Sequence, residues 1–201
     1  LTSFQNDCLI CVVHAIAWGS FVGTRLILRR RDQPRAEAPA LRSAAIKSAP
    51  FSRALVGFHG FGFGVLYFGL GQAVIGGHVP RLFYFQRTAG ALVILAGAYL
   101  MCWALVFFRS WRFRAELDVG HELATGGPFA LVRHPIYAGI NLLALGTVLW
   151  VPTSIVFAGA VLLILGSDLR GRAEEKLLAD AFGDAYRAYM RKVKRLLPWI
   201  Y

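Results

Sequence analysis

Arg133, His134 and Tyr137 stand in the run G-G-P-F-A-L-V-R-H-P-I-Y-A-G, residues 126–139, between two hydrophobic segments. A guanidinium, an imidazole and a phenol this close together can grip an anionic or hydrogen-bonding ligand. Gly126-Gly127-Pro128 forces a turn, and Pro135 suits the first turn of a following helix, where its missing N–H costs nothing. Arg133 and His134 therefore precede a helix N-terminus, whose positive end attracts groups such as a carboxylate. Taken alone, the run is explained slightly better by Arg133 reaching lipid phosphates and His134 capping the helix.

A second cluster changes that balance. Arg170-Gly-Arg172-Ala-Glu174-Glu175 follows about three dozen residues later. Arg170 and Glu174, four apart, share one helix face, and Glu175 lies about a quarter turn round. A weak surface ion pair would account for Arg170 with Glu174. A tight hairpin between the two clusters, however, brings both to one membrane face. Polar groups at the ends of membrane helices are costly to keep there, so a convergent set points to a site.

The elements that must position these clusters are membrane helices. The 201 residues are 57% hydrophobic and only 16% charged. Five apolar stretches stand out: Cys8–Leu28, Leu55–Gly77, Thr88–Phe108, Ile136–Val151 and Thr153–Ser167. A helix crossing the hydrocarbon core needs about 20 apolar residues, a length the first three reach. The last two are shorter, with only Pro152 between them, and read as the hairpin. The expected fold is all-α: a polytopic membrane protein of about five transmembrane helices, the last two a tight hairpin, with a C-terminal amphipathic helix in the cytosol. Residues 1–201 form one integral-membrane domain, with a three-span scaffold over 1–108 and a catalytic, cofactor-binding half over 109–201. Residues 29–53, rich in Pro, Ala and Arg, read as a cytosolic linker with room for a short surface helix.

The net charge of +11 does not indicate nucleic acid, because of where it lies. Lys and Arg number seven in residues 29–53, four in 109–133 and eight in 169–201, against two in 78–87. In a five-span topology the basic segments all fall on one side. This sets the N-terminus outside and the C-terminus and both clusters in the cytosol, where the charge meets anionic lipid head groups. The Arg- and Ala-rich composition suggests a prokaryotic inner membrane.

Other features are plainer. Cys8-x-x-Cys11 has metal spacing, but no second pair completes a zinc site, so no metal is expected and the thiols read as inert. The first span lacks the flanks of a signal peptide, and the chain begins at Leu1, leaving room for native residues before it. The second span is dense in glycine, which close helix packing explains better than a lipid groove. His59 and Gln72 within it suit either substrate binding or helix–helix hydrogen bonds. After Glu174, residues Leu178, Phe182, Tyr186, Tyr189 and Val193 recur at helical steps opposite Lys176, Asp180, Asp184, Arg187 and Arg191. This helix is expected at the membrane interface, with Trp199 and Tyr201 as anchors.

Together the motifs resemble the isoprenylcysteine carboxyl methyltransferase family and its phospholipid and thiol methyltransferase relatives. They are H-x-L (His121, Leu123), G-x-F-x-x-V-R-H-P-x-Y-x-G (Gly127 to Gly139), R-x-x-x-E-E (Arg170, Glu174, Glu175) and F-G-x-x-Y-x-x-Y-x-x-x-V (Phe182 to Val193), covering about two-fifths of the chain. The resemblance implies S-adenosylmethionine as methyl donor, bound in a cytosolic pocket. It implies His121, Leu123, Phe129, His134, Pro135, Tyr137 and Glu174 as the lining of the cofactor site, and Arg170 as the catalytic residue facing the acceptor. That acceptor would be lipophilic, foremost a carboxylate such as a prenylated cysteine's. Phe129 departs from the Tyr often found there, losing a hydroxyl, and Arg114 departs from a polar neutral residue. The first three spans match no motif, and the sequence leaves the acceptor and the oligomeric state open.

Two rival readings have different consequences. Sterol reductases also carry an R-H-P-x-Y-like turn near a C-terminal hairpin, but the Glu174-Glu175 pair is ill suited to a 2′-phosphate. A scaffold or small transporter would be non-catalytic, yet no broken-helix repeat supports transport.

Overall fold

The computed structural model describes residues 3–32, 47–48, 51–77, 79, 84–107, 116–117 and 123–201. Five helices carry the fold: α1 (Ser3–Asp32), α2 (Ser52–Ile75), α3 (Tyr84–Phe107), α4 (Pro135–Trp150) and α5 (Ser154–Lys192). A 3-10 turn, Gly127–Ala130, precedes α4. The β pairing among the described residues is confined to β1 (Lys47–Ser48) against β2 (Glu116–Leu117), antiparallel. The fold is thus all-α, as expected. Most of the proposed linker 29–53, including any surface helix there, lies outside the described residues.

Among the described residues four helices are long and apolar enough to cross a membrane, and α4 is a shorter apolar helix of 16 residues. At 1.5 Å per residue α4 is about 24 Å long, short of a hydrocarbon core of about 30 Å. Large apolar side chains face outward on every helix, among them Ile16, Phe61, Phe68, Leu92, Tyr99, Leu145 and Phe157. So many exposed aromatic and aliphatic groups would not be tolerated in water, but they suit lipid.

Close packing depends on glycine. An added Cβ at Gly139 would lie 2.6 Å from the Gly97 carbonyl oxygen, and one at Gly97 would lie 2.5 Å from that of Gly139. Seven residues along, Gly90 and Gly146 repeat the same reciprocal contact at 2.8 and 2.7 Å. These pairs run α3 and α4 antiparallel, backbone against backbone. A second seam joins α2 to α5: Gly62 meets Leu162 and Leu163, Gly69 meets Ile155 and Val156, and Gly159 meets Leu66. Packing of this kind is how membrane helices associate when burial from water supplies no driving force between them. The glycine density of α2 is therefore partly a packing device, while Gly57, Gly60, Gly64 and Gly71 face open space. With α1 on α3 and α4 on α5 completing the contacts, the helices form one bundle.

The hairpin expected between the last two spans is present. Val151 N–H closes α4 on the Thr147 carbonyl at 2.7 Å, and the Thr153 hydroxyl accepts from Val156 N–H at 3.4 Å to start α5. One expectation about its second arm changes. The fifth span does not stop at Ser167: the helix continues well past it, and α5 as a whole is two helical stretches that meet at a kink before Lys192. Gly183, at φ 53° and ψ −127°, is non-helical and makes that kink, setting the last stretch of the amphipathic segment off as a helix of its own. A side chain there would be strained by about 1–3 kcal/mol, which is why the turn falls on glycine. The amphipathic pattern itself holds, with Tyr186 and Tyr189 buried and Lys176, Asp180, Asp184, Arg187 and Arg191 exposed.

Candidate functional site

The turn before α4 is held from two sides. Gly127, at φ 55°, lies under the Phe107 ring at the end of α3, where an added Cβ would meet the ring at 2.6 Å. On the other side the C-terminal segment runs parallel to residues 132–134. Arg133 N–H donates to the Lys194 carbonyl at 2.8 Å and His134 N–H to the Arg195 carbonyl at 3.1 Å. Those two amides are thus already satisfied within the chain.

Arg133 is also committed internally, which corrects the view of it as a phosphate-seeking side chain. Its Nε and Nη2 donate to one Glu175 oxygen at 2.9 and 2.7 Å, and its Nη1 donates to the carbonyls of Met190 and Val193. Arg195 grips the same carboxylate through Nε at 2.9 Å and Nη2 at 2.7 Å, and reaches Asp168 through Nη1 at 2.9 Å. Glu175 is only 5% exposed, so this is a buried carboxylate between two guanidiniums. Hydrogen bonding from Glu175 holds the Arg195 charge well beyond the usual arginine range. Tyr201, expected as an interfacial anchor, is partly exposed and also bonds within the chain. Its hydroxyl accepts from Arg172 and Arg195 and donates to Asp168. Trp199, in contrast, is almost fully exposed.

Four of the predicted site residues meet beside this clamp. Tyr137 donates its hydroxyl to Glu174 Oε1. His134 Nδ1 lies 3.4 Å from Glu174 Oε2, and its ring stacks on Tyr137 at 5.6 Å. The Arg170 guanidinium sits over the Tyr137 ring, 4.9 Å from its centre. Pro135 is buried as the first residue of α4. His134 does not cap that helix with its side chain. Gly171 faces the same cluster, where a Cβ would lie 3.4 Å from His134 and 3.2 Å from Arg195.

The remaining predicted residues are placed less centrally. Phe129 lies in the 3-10 turn, its ring 6.2 Å from Phe107 and its carbonyl accepting from the Tyr189 hydroxyl at 2.5 Å. Leu123 is half-buried at the start of the described segment. His121 and Arg114 lie outside the described residues.

Electrostatics set His134 apart. Burial disfavours its imidazolium, but hydrogen bonding and attraction from Glu174 and Glu175 outweigh that cost and raise its pKa above 6.5. Its Nε2 is nonetheless buried without a well-aligned partner, although a Glu175 oxygen lies 3.4 Å away. The cluster thus offers a carboxylate, 21% exposed at Glu174, beside an imidazole and a phenol. Such a set binds amino and hydroxyl groups and suits a zwitterionic ligand.

Comparison with known proteins gives this geometry a family. The model for a family described as phospholipid methyltransferase matches residues 85–185, half of the chain. The chain belongs to the phospholipid methyltransferase family. The matched segment contains His134, Tyr137, Arg170, Glu174 and Glu175, whereas His59, Arg195 and Tyr201 fall outside it. Among its relatives, the protein-S-isoprenylcysteine O-methyltransferase of Schizosaccharomyces pombe is 39% identical over 126 residues, spanning 59% of this chain and 52% of the relative. A probable protein-S-isoprenylcysteine O-methyltransferase of Oryza sativa subsp. indica is 33% identical, over 59% of this chain and 64% of its own. The methanethiol S-methyltransferase of Mycobacterium tuberculosis is 31% identical, over 60% and 55%. The chain thus matches between about half and two-thirds of the length of these relatives. The resemblance seen in the motifs is borne out, the reductase reading is not favoured, and the family agrees with the apolar helices in making this an integral membrane protein.

Three features escaped the sequence reading. The Glu175 clamp joins residues 42 and 20 positions away, with no local spacing to announce it. The backbone pairing of residues 132–134 with 194–195 likewise has no pattern in either stretch. His59, which sequence leaves equally explained by packing, contacts Arg170 directly.

Proposed function

We propose that the protein is an integral-membrane methyltransferase that moves a methyl group from S-adenosylmethionine to a lipophilic acceptor, foremost a carboxylate. The observation that carries this reading is the meeting of His134, Tyr137 and Glu174 at one end of the α4–α5 hairpin, within the segment that matches the family. Named relatives transfer methyl groups to isoprenylcysteine or methanethiol, and O-methyltransferases generally use this donor. A partly exposed carboxylate next to a buried imidazole fits the donor's amino and hydroxyl groups.

In this reading Glu174 accepts hydrogen bonds from the donor, and His134 and Tyr137 hold its other polar groups. Pro135, Phe129 and Leu123 complete the lining with His121. S-adenosylmethionine supplies a methyl carbon on a positively charged sulfur, and that charge is discharged on transfer. Arg170 orients an ionised carboxylate by paired hydrogen bonds, so no general base is needed at neutral pH. Exclusion of water and fixed orientation then supply much of the acceleration. The cationic acceptor site and the carboxylate donor site stand on adjacent turns of α5.

The placement follows from charge. The N-terminus lies outside and the site and C-terminus in the cytosol, against a prokaryotic inner membrane, with residues 1–108 as scaffold and 109–201 as the catalytic half. The gathering of Arg133, Arg170, Arg172 and Arg195 at one end of the bundle supports this orientation.

Ligand-induced stabilisation tests the donor. S-adenosylmethionine at about a hundredfold excess over Kd should stabilise the purified protein by about 2.7 kcal/mol, while NADPH should not. Stabilisation by NADPH alone would overturn the reading. A second measurement separates acceptor from donor: Arg170→Ala should cut turnover on a prenylcysteine carboxylate by about a hundredfold, with donor Kd changed less than threefold. Near-normal turnover would make Arg170 structural.

A further inference from the structure

Arg170 has a neighbour that the motifs do not contain. His59, on α2, is 2% exposed and places Nδ1 3.2 Å from Arg170 Nη1. A guanidinium can only donate, so Nδ1 must carry the lone pair and the ring hydrogen sits on Nε2. That nitrogen faces the Ser167 hydroxyl at 3.4 Å, and Ser167 in turn donates to Asn141 Oδ1 at 2.8 Å. The tautomer that accepts from Arg170 is therefore the one the other partners also favour. Ser167 lies three residues before Arg170 on α5, and Asn141 four residues after Tyr137 on α4. The relay consequently ties all three helices to one guanidinium.

The surrounding packing has room for this ring and little else. A Cβ at Gly166 would lie 3.0 Å from His59 Cδ2, and the His59 ring meets the edge of Tyr137 with centres 6.0 Å apart. Arg170 is thus bounded by the Tyr137 face and by a fixed acceptor on α2. Its plane is set before any substrate arrives.

We propose that His59 is a positioning residue for Arg170, fixing the plane in which the guanidinium meets an anionic acceptor head. The proposal deepens the methyltransferase reading and rests on it. It also gives α2, which lies outside the family match, a part in acceptor selection. Carboxylate acceptors need a fork held in one plane. A small thiol needs no such fork and should depend on His59 much less.

Three variants test it with an S-prenyl-N-acetylcysteine and with methanethiol as probes. Asn places an oxygen near the position of Nδ1, whereas Leu removes the acceptor while keeping the volume. His59→Leu should raise KM for the carboxylate probe about tenfold or more, leaving donor Kd unchanged. His59→Asn should stay within about threefold of wild type, and Gln, whose oxygen lies near Nε2, should behave like Leu. Equal behaviour of Asn and Leu, or an unchanged carboxylate KM in both, would overturn the proposal. A spectroscopic readout stands apart from turnover. In 15N-histidine-labelled protein, the His59 Nδ1 resonance should be that of an unprotonated, hydrogen-bonded nitrogen and should shift in Arg170→Leu. Insensitivity to Arg170→Leu would sink the positioning role. Failure of the wild type to bind S-adenosylmethionine would instead strike the proposed function, while the spectrum still decides the His59–Arg170 contact.

Discussion

Glu175→Ala is expected to lower the stability of the folded protein by about 3–5 kcal/mol, a fall of roughly ten degrees in the unfolding midpoint. The reason is what it leaves behind. Arg133 and Arg195, whose side chains are 8% and 14% exposed, would lose the carboxylate that faces both. Breaking a buried pair from one side is costly because the remaining charge has no water to turn to. Arg133 could still donate to the Met190 and Val193 carbonyls, and Arg195 to Asp168, so the loss should fall short of unfolding at room temperature. Glu175→Gln, which keeps size and an acceptor oxygen, should lie between the two. Thermal unfolding in detergent measures all three proteins. A midpoint for Glu175→Ala within a degree of wild type would show that the clamp contributes nothing.

The adjacent carboxylate should behave in the opposite way. Glu174→Ala is expected to weaken S-adenosylmethionine binding roughly ten- to a hundredfold, the worth of a charge-assisted hydrogen bond, with only a small loss of stability. Glu174 is partly exposed, and the groups it serves within the chain are neutral Tyr137 and the titratable His134. His134→Ala should weaken the same ligand. Calorimetric titration with the donor checks both, and unchanged affinity in the pair would remove the site from these residues.

The His134 charge adds a pH dependence with a definite sign. Its native pKa is raised, so the stabilisation from its imidazolium is fully present below pH about 6.5 and is lost as pH climbs through the higher native value. Removing Glu174 takes away part of what raises it. The stability difference between wild type and Glu174→Ala should therefore shrink with rising pH across that window. A difference that is flat or grows with pH would contradict this account of the charge.

Much of this was legible in the residues. Apolar runs with few charges must be helices in lipid, since only intrahelical bonding satisfies their backbone there. Pro135 and the Gly126-Gly127-Pro128 turn marked the start of α4, and Pro152 marked the hairpin, because these residues restrict the backbone wherever they stand. Arg170 and Glu174 had to share a face because a helix has 3.6 residues per turn. Given the hairpin, His134 and Glu174 had to approach each other.

What the tertiary structure decided is which charge serves which partner. Local spacing presented Glu174 and Glu175 as near equals, yet one carries Tyr137 and the other is locked between Arg133 and Arg195. That division depends on a C-terminal segment 20 residues on, folding back beside residues 132–134, and no periodicity encodes such a contact. His59 reaches Arg170 only because glycines on α2 and α5 let two backbones approach closely. Covalent geometry and helical repeat act over a few residues and can be read along the chain. The pairing of a buried charge is settled by whichever opposite group the packed helices bring within reach, and that is a property of the assembled bundle.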